Sequence, residues 1–279
     1  MIKSSKRKSI KKLRHYPLII SVVLFAVLGT ALILLTQASA PNHSVEAEIT
    51  SLSGNAVLST DDTAASGSYV MFKGGSTVTD KLPSHVRIMT MGDSITHGAG
   101  YPYAYRLQLN QLLQTATNHT YEFVGSQNDG QFNHEGHPGW AIDPDLLDNY
   151  GWWLSSAPAD LIIINGGVNG LGWGPYPGWQ SITDVEQDVE QLVDGILQHS
   201  PSAFIIFQTV ANSGGPAEQY IPFNAWIRDF VTERQAQNQK LFVADTATVT
   251  TGFADQVHPA QEAFDQFAQI IFDVIEPLL

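Results

Sequence analysis

The rhythm of apolar and polar positions changes three times along this chain. Residues 18–35 form one uncharged, apolar run. Residues 41–84 hold only short alternating stretches, such as Ser68-Tyr69-Val70-Met71-Phe72, set among Ser, Thr, Ala and Gly. From Val86 onward, short apolar runs alternate with segments of helical spacing. Runs at 86–91, 121–124, 161–164, 204–207 and 241–244 predict five strands, and the composition of 161–164 predicts burial on both faces. Leu107, Leu109, Leu112 and Leu113 mark a helix within 103–114. Val185, Val189, Leu192, Val193, Ile196 and Leu197 mark another, with Thr183 and Glu186 as its expected capping box. Further helices are expected within 219–239 and over 259–275. Strands alternating with helices predict a parallel sheet covered on both sides, an α/β three-layer α/β/α sandwich. Ligands bind such sheets beyond the carboxyl ends of the strands, which directs attention to the residues just after each one.

The first apolar run changes the picture before any chemistry does. Lys3, Lys6, Arg7, Lys8, Lys11, Lys12 and Arg14 precede it, and Ala38-Ser39-Ala40 follows. That order predicts a signal peptide over 1–40, or an uncleaved signal anchor with its basic end in the cytoplasm. At 18 residues the run suits either, and both place residue 41 onward outside the cytoplasm. Residues 41–84 read as a Ser/Thr/Gly-rich linker with two short strands. They resemble the opening strands of β-sandwich carbohydrate-binding modules over too short a length to form one. Residues 85–279 then read as the main α/β domain.

Residues 1–40 hold 7 of the 14 Lys and Arg and none of the 27 Asp and Glu, so the remainder carries a net charge of −20. Such a surface excludes nucleic acid as a partner, disfavours anionic lipid, and suits a neutral substrate. Any membrane contact would run through the N-terminal segment alone. There is no cysteine, which excludes thiol catalysis, iron–sulfur clusters and thiolate-held zinc.

Four strand ends carry candidate chemistry. Gly92-Asp93-Ser94 turns out of the first strand and exposes a hydroxyl at a helix start; alone, such a serine is most often a cap. Asp255 and His258 lie three residues apart, so one turn can hold a carboxylate against an imidazole that activates a serine. The bland alternative is that Asp255 caps the last helix. Gly166-Gly167-Val168-Asn169 offers a side-chain amide to an oxyanion, or simply a glycine-rich turn. In Glu135-Gly136-His137-Pro138-Gly139-Trp140, Gly139 can present its N–H to the same oxyanion. The reading of His134, Glu135 and His137 as metal ligands is weaker, and neither metal nor cofactor is expected. Among the aromatics, Trp152 and Trp153 are expected in the core. Trp173 and Tyr176, in the glycine-rich segment 170–178, are expected to touch substrate together with Asp93 and Trp140.

Taken together, these blocks resemble the SGNH, or GDSL, hydrolase family over roughly residues 86–279, and within it carbohydrate esterase family 3, which includes acetylxylan esterases. The resemblance implies a flavodoxin-like fold with a five-stranded parallel sheet. It implies Ser94 as nucleophile with His258 and Asp255, and an oxyanion hole of the Ser94 and Gly139 N–H groups and the Asn169 amide. It further implies an extracellular esterase acting on an acetylated carbohydrate. A lipolytic esterase of the same family and an inactive carbohydrate-binding protein are the alternatives. Two blocks depart from the family pattern: Gly167-Val168-Asn169-Gly170 replaces Gly-Thr-Asn-Asp, and where the family usually has Gly after Asp, Gln256-Val257 stands between Asp255 and His258. Gly125 is the fallback for Gly139. The motif is not the Gly-x-Ser-x-Gly elbow of α/β-hydrolases, because Thr96 occupies the second glycine position.

Overall fold

The computed structural model describes residues 56–60, 68–72, 80–116, 118–173, 176–211 and 216–279. The expected signal or anchor over 1–40 lies outside the described residues, and so does most of 41–84. No helix among the described residues is long and apolar enough to cross a membrane. The chain divides into two units, Met1–Met71 and Phe72–Leu279. Before residue 80 the described elements are β1 (Ala56–Thr60) and β2 (Ser68–Phe72), which pair into a two-stranded sheet.

In the second unit the chain runs through β3 (His85–Gly92), β4 (Thr120–Val124), β5 (Gln127–Asn128), β6 (Asn133–Gly136) and β7 (Leu161–Asn165). The small hairpin of β8 (Gly172–Trp173) and β9 (Tyr176–Pro177) precedes β10 (Phe204–Gln208) and β11 (Leu241–Ala244). β3 pairs in parallel with β7, β7 with β10, and β10 with β11. On its other edge β3 is shared: β4 lies along residues 85–89, and β6 pairs with Met91 and Gly92. The five expected strands therefore stand in the order second, first, third, fourth, fifth, and β5 adds an antiparallel segment to β6. Every residue of β7 and β10 is buried, as a strand covered on both faces requires.

The helices are α1 (Ser94–His97), α2 (Arg106–Leu113), α3 (Leu147–Ser156), α4 (Val168–Leu171), α5 (Ile182–His199), α6 (Ala217–Ala236) and α7 (Gln261–Ile275). α2 packs on α7, while α3, α5 and α6 pack in sequence as the other layer. Val185, Val189, Leu192, Val193 and Ile196 of α5 are buried as their spacing predicts. Its cap differs from expectation. The capping box is Ser181 with Asp184, not Thr183 with Glu186. Ser181 is the last extended residue before the helix (φ −75°, ψ 161°), so its hydroxyl, not that of Thr183, faces the first orphan N–H groups. Leu82 is buried and its N–H donates to the Leu278 carbonyl at 2.8 Å, so packing against the domain begins ahead of residue 85.

One fully buried charge joins the layers. Arg106, at the start of α2, has no solvent exposure. Its Nε and Nη2 donate to Asp129 Oδ2 at 3.0 and 2.8 Å. Nη1 donates to the Thr96 carbonyl, and Nη2 reaches the His97 carbonyl at 3.4 Å. Asp129 Oδ1 accepts from Gln131 and Phe132 N–H and so shapes the turn between β5 and β6. Removing one partner of such a pair leaves the other charged and buried. Arg106→Ala should lower the unfolding free energy in urea by about 3–5 kcal/mol. Arg87→Ala, whose 3.6 Å pair with Glu122 is partly exposed, should change it by less than about 1 kcal/mol.

Candidate active site

The carboxyl end of β3 forms the floor of the site. Gly92 has φ +151°, and a Cβ there would lie 2.0 Å from the Asn165 carbonyl oxygen at the end of β7. Only glycine permits the two strands to leave the sheet side by side. Asp93 then caps α1, its Oδ1 accepting from Ile95 N–H at 2.8 Å, and Ser94 is the first helical residue. Asp93 is 1% exposed, so it does not reach the substrate surface where it was expected; its carboxylate is turned inward by the capping bond. Burial pushes that carboxyl up to about 7, against the pull of the Ile95 N–H and of His258.

A turn 160 residues further on meets Ser94. Ala254 N–H donates to the His258 carbonyl at 2.8 Å, and Phe253 and Pro259 form an isolated bridge. Inside this loop Asp255 Oδ1 accepts from the N–H groups of Val257 and His258 at 2.8 and 2.7 Å. Its Oδ2 lies 2.8 Å from His258 Nδ1, and His258 Nε2 lies 3.0 Å from Ser94 Oγ. Burial raises the Asp255 carboxyl, but the His258 backbone bond, the imidazole and the Val257 N–H outweigh it and hold the group below its ordinary value. An ionised Asp255 accepts a hydrogen bond from Nδ1–H, which leaves Nε2 to accept from the serine hydroxyl. The inserted Gln256-Val257 pair is absorbed because Val257 is buried and its N–H binds the carboxylate. Asp255 serves this loop; the cap position of α7 is Ala260.

The other two strand ends meet each other. Asn169, in α4 after β7, is buried and donates from Nδ2 to the Trp140 carbonyl at 2.7 Å. One amide hydrogen is thereby fixed on the Trp140–Ala141 peptide, one residue beyond Gly139, and the second remains available as a donor. Gly139 is exposed with φ +84°, and nothing lies within 4 Å of where a Cβ would stand. Gly125 is different: a Cβ there would meet the His134 backbone at 2.5 Å, so its missing side chain serves strand packing. The altered third block has a packing reason. A Cβ on Gly170 would lie 2.4 Å from Gln180 Oε1, whose amide donates to Asp188, and Val168 is buried in the core.

Around these groups the aromatics divide. Trp173 meets His258 edge-on, with ring centroids 5.8 Å apart. Trp140 stacks on His137 at 4.0 Å, and His137 stacks in turn on Trp153 at 5.1 Å. Trp153 is 3% exposed, as expected, but its neighbour Trp152 is 61% exposed. The two cannot share one face of α3, since adjacent helical residues diverge by about 100°. The Tyr176 side chain lies outside what the structure describes. The residues weighed as metal ligands are engaged otherwise. His134 Nδ1 accepts from Gly136 N–H at 3.0 Å, and Glu135 binds Ser126 through both oxygens and His137 at 3.0 Å. Sequence reasoning missed Arg106 and Asp129. A lone arginine beside apolar Leu109 and Leu113 was the available signal, and its partner on a distant turn had none.

The chain matches the GDSL-like lipase/acylhydrolase family over residues 90–265. It is 24% identical over 232 residues to a multidomain esterase of Ruminococcus flavefaciens, covering 70% of this chain but only 29% of that protein. This chain therefore spans less than a third of that relative's length. Among solved structures, it is similar to a family 3 carbohydrate esterase of Clostridium thermocellum (23% identity, 70% of this chain, 98% of that one, TM-score 0.59). It is also similar to a family 3 carbohydrate esterase from Talaromyces cellulolyticus (20% identity, 69% and 97%, TM-score 0.60). At these identities the structural likeness concerns the fold.

The buried Asp93 makes a stability prediction. Unfolded, an aspartate loses its proton near pH 3.9; folded, Asp93 keeps it up to about 7. Between those values the native state binds a proton that the unfolded state has lost, so this group makes stability fall as pH rises, by at most about 1.4 kcal/mol per pH unit. Asp93→Asn preserves the cap and removes the titration. Its unfolding free energy relative to wild type should climb from pH 4 to 7 and level off above. A difference independent of pH in urea melts would contradict this assignment.

Proposed function

The chain belongs to the GDSL-like lipase/acylhydrolase family, and on that premise we propose that it is a serine esterase removing acetyl groups from a carbohydrate outside the cell. The observation that carries this reading is the relay in which Asp255, His258 and Ser94 stand 2.8 and 3.0 Å apart at the carboxyl ends of the sheet. Ser94 Oγ attacks the ester carbonyl while His258 Nε2 takes its proton, and Asp255 stabilises the imidazolium. The carbonyl oxygen becomes an oxyanion held by the Ser94 and Gly139 N–H groups and the remaining amide hydrogen of Asn169. The C–O bond to the sugar then breaks, and His258 returns the proton to the departing alkoxide. Water, activated by the same imidazole, attacks the acyl-enzyme and releases acetate and the serine hydroxyl.

Two features favour a small acyl group on a neutral glycan. Trp173 stands edge-on beside His258, 5.8 Å between ring centroids, where a bulky ring leaves less space for a long acyl chain. The strongly acidic remainder of the chain repels polyanions and leaves neutral polymers unopposed. The carbohydrate esterases described above agree in fold, and the basic, apolar, small-residue order of the N-terminus supports export.

Ser94→Ala should lose p-nitrophenyl acetate turnover by several orders of magnitude with unchanged thermal unfolding; retention of more than a trace would exclude the serine mechanism. Rates on p-nitrophenyl esters should fall steeply from acetate to octanoate, and a preference for octanoate would instead indicate a lipolytic enzyme. Asn169→Gly keeps a permitted backbone but deletes the donor. Its kcat should drop about a hundredfold or more, some 2.7–4 kcal/mol, with little change in KM. Near wild-type kcat would remove Asn169 from the oxyanion site.

A further inference from the structure

A concavity adjoins α1 at its His97 end, opposite Ser94. It encloses about 410 Å³ and is lined by His97, Tyr101, Gln127, Asn128, Asp129 and His134, among others. His97 closes α1, so it lies roughly 4.5 Å along the helix axis from Ser94. The facing wall is the β5–β6 hairpin, which leads through Gly136 directly to Gly139. The cavity is therefore lined by two segments that also lead to Ser94 and Gly139.

It presents no unpaired charge. The Asp129 carboxylate is taken up by Arg106 and by two backbone N–H groups. Burial, reinforced by the Arg106 charge, lowers the His97 imidazole, and the same causes bring His134 down to about 3. Because His134 Nδ1 accepts from Gly136 N–H, its proton sits on Nε2 as a donor. What remains for a ligand is an uncharged set of amides, imidazoles and ring edges beside apolar Pro102. Such a lining offers no counter-charge to a phosphate, carboxylate or amine; it matches a molecule with hydroxyls on its rim and C–H faces. The wall is also preformed. On one side Tyr101 N–H donates to the Gly98 carbonyl at 2.8 Å, and on the other the Asp129 carboxylate holds the Gln131 and Phe132 N–H groups.

We propose that this cavity is a glycan subsite that binds a neutral, unacetylated sugar unit of the polymer whose neighbouring unit presents its ester to Ser94. The inference rests on the esterase reading for its role in turnover, but sugar binding can be measured without turnover. Gln127 is exposed on the short edge strand, so Gln127→Trp fills the cavity without disturbing the core. Calorimetric titration should detect binding of at least one member of a panel of neutral xylo-, manno-, cello- and chito-oligosaccharides to the wild type. Gln127→Trp should weaken that binding at least tenfold. With acetylated oligosaccharides, KM should rise about tenfold in this variant at unchanged kcat, while p-nitrophenyl acetate kinetics stay as in wild type. Failure of every oligosaccharide to bind the wild type would overturn the subsite, as would equal affinity in Gln127→Trp or a parallel loss on p-nitrophenyl acetate. If the wild type hydrolyses no ester yet the variant loses oligosaccharide binding, the esterase reading fails and the subsite stands.

Discussion

The Arg106 guanidinium, with no access to solvent, is the constraint around which the site is arranged. A charge in that position would cost several kcal/mol to desolvate, and it persists only because each face of the group is occupied. Asp129 neutralises it, and the carbonyls of Thr96 and His97 accept its remaining hydrogens. Those carbonyls end α1, the helix that begins with Ser94, and Asp129 shapes the turn that leads to Gly136 and Gly139. One side chain thus sets the spacing between the serine and the strand end that faces it. The same pairing silences the one carboxylate in the adjoining cavity, so the structural tie and the neutral character of that cavity have one origin.

The sheet supplies the remaining alignment. Parallel strands bring all their carboxyl ends to one edge, which is how Ser94 meets His258 and Asn169 meets Trp140 from widely separated segments. The two departures from the family pattern fall where local packing accommodates them. Gly170 leaves room for Gln180, Val168 joins the core, and Val257 gives its N–H to Asp255.

On the esterase reading, charge and site agree. Neutral polysaccharide is the polymer that an acidic surface does not repel, and a cavity whose ionisable groups are paired or held neutral can accept a sugar without desolvating a charge. The His137 ring, stacked on Trp140 and bonded to Glu135, ties the Gly139 loop to the end of β6.

The sequence by itself determined the five strands, their alternation with helices, and the serine, histidine and acid that meet at the sheet's edge. Each of these is written within a few residues: apolar runs make strands, Gly92 makes the turn, and Asp255 lies three residues from the imidazole it binds. Tertiary structure alone decided what depends on distant partners. Asp93 became a buried cap beneath Ser94 and not a substrate contact, Trp152 and Trp153 went to opposite environments, and the α5 cap settled on Ser181 where the chain leaves its extended form. Arg106 found Asp129 across 23 residues. No local pattern announces such a pair, because burial is a property of what packs around a residue and the sequence states only what the residue is.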